Sequence, residues 1–185
     1  MAAVSIRRLL ATVVLCSSCG GGPTPGPVAR STAWRTHRLP VGLAIDLPAV
    51  AAVERASWPG GGGAILALVF DADETLRVAL RAGAGEGLDA FRRDHAGWTI
   101  EPAVRGRVCG RPAWIARATR PAEEIECVIT TDGNAPGWRA ASEAVAVVVE
   151  GGAVPARLTV ELESDRPGRA SAWRDRVLRS LRCSR

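Results

Sequence analysis

Chemistry in this chain of 185 residues could concentrate at two histidines, a short acidic run, a glycine-rich stretch and a close pair of cysteines. A hydrolytic triad needs a serine raised on a G-x-S-x-G elbow within reach of an imidazole, and no such motif accompanies His37 or His95. Asp71, Asp73 and Glu74 could offer oxygens to a cation. A calcium loop, however, needs a longer ligand run with glycine at a set place, so DADE reads as a hairpin turn. The stretch from Gly83 to Gly87 precedes a helix but lacks both G-x-G-x-x-G spacing and a following Lys-Ser/Thr pair. Glu86 would also sit where an anion belongs. The residues therefore predict no catalytic group, no metal site and no cofactor. The rival reading, a secreted enzyme with a site scattered along the chain, would draw on Asp71, Asp73, His37 or His95.

Cys16 and Cys19 have the spacing of a redox pair or half a zinc site. A redox pair wants the start of a helix after a buried strand, and zinc wants a second ligand pair; neither follows. Upstream stand Arg7 and Arg8 and then the apolar run from Leu9 to Leu15, a charged n-region and a short h-region. Ser17 and Ser18 precede Cys19, and Gly20, Gly21 and Gly22 follow it. The segment resembles a bacterial lipoprotein signal, which implies cleavage before Cys19 and lipid attachment there. Cys16 stands where such signals usually carry leucine, and Leu15 before it is too bulky for the cleavage position. Residues 1–18 are thus expected to be a signal peptide. Residues 19–32, with GGGPTPGPVARS, are an extended tether, and 33–185 one domain.

The formal charge of +5 falls to +3 once Arg7 and Arg8 leave with the signal. Every Lys/Arg position is arginine, and there is no Gln or Tyr, a bias of GC-rich coding. The arginines alternate along the segments instead of clustering in sequence, so they read as a solvated face, and nucleic acid is disfavoured as a partner. Six tryptophans stand against no tyrosine. Trp114 and Trp173 fit core positions, whereas Trp58 (SWPGGGG) and Trp138 (APGWRA) lie in Pro/Gly loops, where they could contact a partner or fold back onto the core.

The elements around these residues are mostly strands. Trp34 to Arg38 is a candidate edge strand and Gly42 to Leu47 alternates. Ala64 to Phe70 is continuously apolar, as in a strand buried on both faces, and Thr75 to Arg81 alternates cleanly. Glu86 to Ala96 reads as a helix with Leu88, Phe91 and His95 on one side. Strands follow over Thr99–Val108, Pro112–Thr119 and Glu124–Thr131, with DGNAPG a loop. Glu143–Glu150 and Ala156–Glu163 form a hairpin about Gly151-Gly152. A last helix is capped by Asp165, with Pro167 in its first turn and a stripe of Ala170, Trp173, Val177 and Leu181. The sum is an α+β domain, mostly antiparallel sheet packed against a mid-chain and a C-terminal helix.

The element order, with "GLAIDLP" at the start, "CGRPAWIARA" in the middle and a helix ending "VLRSLR", resembles small secreted bacterial proteins of the PsbP-like (Mog/PsbP) α/β-sandwich class. That resemblance spans about residues 33 to 183. It implies a binding or assembly factor and carries over no catalytic residue. If Pro112–Thr119 pairs with Glu124–Thr131, Cys127 falls opposite about residue 115, and Cys109 lies ~20 Å further on at strand rise. A disulfide tolerates Cα separations only to ~7 Å, which disfavours Cys109–Cys127. Cys183 is then the expected partner of Cys127, which shares a face with Ile125 and Ile129, with Cys109–Cys183 the alternative. Three buried, reduced cysteines are the remaining reading. The expected function is a membrane-tethered, non-enzymatic lipoprotein of the cell envelope that binds a protein or envelope partner. A soluble periplasmic ligand carrier is the other alternative.

Overall fold

The computed structural model describes residues 33–71, 74–129, 133–164 and 169–184. Residues 1–32, with the expected signal, lipid site Cys19 and tether, lie outside them, as do Asp73, Asp165 and Pro167. The described residues fall into two compact units. The smaller is a hairpin of β9 (Glu123–Ile129) and β10 (Gly133–Arg139), which pair with each other. Trp138 and Cys127 belong to it, and their side chains are outside the described residues.

The larger unit is built on an eight-stranded sheet whose pairings are antiparallel. Its order runs from β3 (Ala52–Trp58) through β4 (Gly62–Asp71), β5 (Glu74–Ala82), β12 (Ala156–Ser164), β11 (Ser142–Val149) and β8 (Arg111–Arg120) to β6 (Thr99–Ile100). Next to β6, β7 (Val104–Val108) also pairs with β8. The expected single strand over 99–108 is split around Pro102, and the register on β8 slips by one residue across it. A second sheet joins β1 (Trp34–Leu39), β2 (Leu43–Pro48) and β13 (Arg182–Cys183).

Alternation sorts the large sheet into two faces. On the inner face Ile65, Val69, Leu76, Val78, Leu80, Leu158 and Val160 meet Leu43, Ile45 and Leu47 of the small sheet. Ala170 and Val177 of α2 (Arg169–Ser180) join the same core. On the outer face, α1 (Leu88–Asp94) drops Phe91, fully buried, among the small side chains Ala116, Ala118, Ala144 and Ala146. Alanines on β8 and β11 leave the space that the aromatic ring fills.

Two strand expectations change. The apolar run of β4 is fully buried on its inner face, whereas on the outer face Leu66 and Leu68 are partly exposed and Phe70 is 52% exposed. The pairing of β8 with β9 is not formed: β8 is flanked by β11 on one side and by β6 and β7 on the other. The disulfide argument built on that pairing therefore fails. Cys183 is joined to Cys109, at a Cα separation of 5.8 Å, and not to Cys127. The β7–β8 hairpin pairs Val108 with Arg111, so Cys109 and Gly110 form a two-residue turn, at φ 57° and 72°. Both central residues of a tight hairpin turn need positive φ, and Cys109 carries that conformation where glycine or asparagine is usual.

Candidate functional site

A cleft of about 840 Å³ is lined by Thr36, Arg38, Ala44, Arg55, Arg182, Cys183 and Ser184. Strand register makes it. Arg38 pairs with Ala44, and Ala44 with Arg182 across the small sheet, so two long cations flank a methyl group. The short alanine, 1% exposed, is the floor. Arg55 enters from β3 in the other sheet.

Two of the three guanidiniums are held in place. Arg182 donates to both oxygens of Asp46, at 2.7 and 2.9 Å, and to Thr36 Oγ1 and the Ser180 carbonyl, each at 2.9 Å. Its hydrogen bonds lead the causes that lower the Asp46 pKa. Arg55 donates to Nδ1 of His37, whose lone pair is available only in the neutral ring. Burial first, then the charges of Arg55 and Arg35, lower the His37 pKa and keep that ring neutral. Arg38 is exposed and has no side-chain partner among the described residues. Arg176 of α2 stacks over Trp34 at 4.0 Å and adds its charge to the field on Asp46. Such an array, planar donors around a small floor, can take a phosphate or carboxylate. The cleft lining contains no serine–histidine pair and no carboxylate.

A second polar constellation lies under α1. Arg157, 2% exposed in the middle of the sheet, donates to Glu86 at 2.9 Å and Asp94 at 2.6 Å, while its Nη1 has no partner among the described residues. His95, 2% exposed, directs Nδ1 to the Phe91 carbonyl and Nε2 to Glu161 at 2.9 and 3.0 Å. This layer fastens α1 to β12 and is closed to a ligand at Arg157.

The residues singled out in the sequence separate. His37 orients Arg55, and His95 anchors a helix. Glu74, expected in a solvated turn, is 7% exposed and accepts from Ala170 N at 2.7 Å and Ser164 Oγ at 3.1 Å, so it caps α2 from 96 positions away. Trp58 is 39% exposed, its indole lying over Gly62 and near Gly83, where a Cβ at Gly62 would overlap it. Among the described residues no group of three His, Cys, Asp or Glu side chains could hold a metal ion. The arginine cleft itself escaped the sequence reading: its members are spread from 38 to 182, and one arrives on a strand of two residues. The alternation of Arg35, His37 and Leu39 against Thr36 and Arg38 was the available signal. No protein-family model matches the chain, and no curated protein matches it either.

Proposed function

We propose that the chain is a membrane-tethered, non-enzymatic lipoprotein of the cell envelope, anchored through Cys19, whose domain binds an anionic partner in the arginine cleft. The observation that carries the reading is the array of Arg38, Arg55 and Arg182, two of them oriented in advance by His37 and Asp46. Orienting cations before a ligand arrives lowers the entropy lost on binding. A cysteine pair at disulfide distance fits an exported, oxidising compartment. An antiparallel sheet with a helix on each face supports the finer reading of a PsbP-like sandwich.

Two measurements test the parts separately. Intact mass of the protein from its native envelope should give a chain beginning at Cys19 with added acyl mass, gaining two daltons on reduction. An unlipidated chain cut elsewhere removes the anchor and turns the reading to a soluble carrier. For the cleft, the arginine Nε–Hε resonances of Arg38 and Arg55 should shift when inorganic phosphate is added. Unmoved resonances up to tens of millimolar phosphate would remove the cleft as a binding site.

A further inference from the structure

We propose that the cleft and the basic surface around it dock on an anionic phospholipid membrane, with a headgroup phosphate seated between Arg38 and Arg55. The inference rests on the reading above and names the partner of the same cleft. The charge is local. The chain as a whole is only modestly basic, yet Arg35, Arg38, Arg55, Arg176 and Arg182 gather around His37 and Asp46 from β1, β3, α2 and β13. Asp46 is already bonded to Arg182 through both oxygens and leaves Arg38 and Arg55 uncompensated. Lipid phosphates present a repeated array of oxygens that several guanidiniums engage at once, whereas a lone small anion meets one pair.

Position points the same way. The cleft is built on β1, the first described element, which begins fifteen residues after Cys19. A stretch of that length reaches ~50 Å at most when fully extended, so an acyl group on Cys19 keeps β1 near the bilayer it enters. Trp34, partly buried against the core with Arg176 over its ring, adds an aromatic side chain at the start of β1.

The test uses the chain from residue 19 with Cys19→Ser, so that no acyl group contributes, and vesicles of phosphatidylglycerol or of phosphatidylcholine alone. Cosedimentation should occur with phosphatidylglycerol, weaken as salt rises, and be absent with phosphatidylcholine. Each basic residue near an anionic surface contributes ~1 kcal/mol, so Arg38→Ala with Arg55→Ala should weaken binding about thirty-fold. Arg92→Ala with Arg93→Ala, the same charge change on the exposed side of α1, should weaken it less than about three-fold. Arg38→Glu alone guards against a folding defect, since that side chain has no partner to lose, and should also weaken binding strongly. Equal binding to both lipids, or equal losses in the two double variants, overturns the inference. Soluble glycerophosphate shifting the Arg38 and Arg55 resonances without any vesicle binding would also overturn it while leaving the anion cleft intact. Silence toward both would remove the cleft as well.

Discussion

A neutral imidazole is what lets Arg55 stand still beside other cations. The unfolded chain takes up the His37 proton near its ordinary value of 6.5, and the folded chain only at lower pH. The stabilisation from His37 is therefore complete above that value and lost as pH falls through the folded one. We expect the melting temperature to decline as pH falls below about 6.5, with much of that slope removed in His37→Gln. A separate decline belongs below about pH 4.5. Burial would raise the Glu161 pKa, but the hydrogen bond and charge of His95, with Arg77 and Arg81, lower it, and Asp46 is lowered chiefly by its hydrogen bond to Arg182. Stability from both carboxylates is present above their ordinary values and lost as they protonate. If His37→Gln leaves the upper slope unchanged, His37 is not the group responsible. Little at this scale was legible beforehand: a histidine two residues from an arginine says nothing of an arginine eighteen positions later.

At the scale of elements, strands with strict alternation declared themselves. Thr75–Arg81, Glu143–Glu150 and Ala156–Glu163 differ from their observed counterparts by a residue or two at the ends. The strands that went unread had no apolar rhythm. AVERASW forms an edge with one face toward water, GNAPGWR carries turn residues, and Arg182–Cys183 is too short to have a period. Their conformations are dictated by partners and not by local preference. The cap of α2 is of the same kind, since Glu74 reaches it across the fold. Glu74→Ala should cost about 1–2 kcal/mol, the usual loss for a helix cap, read by urea denaturation with helix content followed by circular dichroism. An unaltered midpoint would mean that Ala170 N finds another acceptor. The disulfide ties the β7–β8 turn to β13 across 74 residues of sequence. Cys109→Ser with Cys183→Ser should lower stability by about 2–4 kcal/mol. It should also loosen Arg182, the neighbour of Cys183, so phosphate affinity should fall with it. Loss of stability with affinity intact would show that Asp46 alone positions Arg182.

For the molecule as a whole, the α+β class was legible because two helices and several alternating segments admit few layered solutions. The gathering of arginines was not, because sequence spacing carries no information about which strands become neighbours. That neighbourhood has a further consequence. The centre of the large sheet pairs residues 74–82 with 156–164, and β2 near the start receives β13 at 182–183. Loops this long must close before their contacts contribute. A chain emerging N-terminus first can pair β5 with β4, but it has no partner for the other side of β5 or for the free side of β2 until almost all of it has appeared. The small sheet is therefore completed last, when residues 182–183 reach the free side of β2.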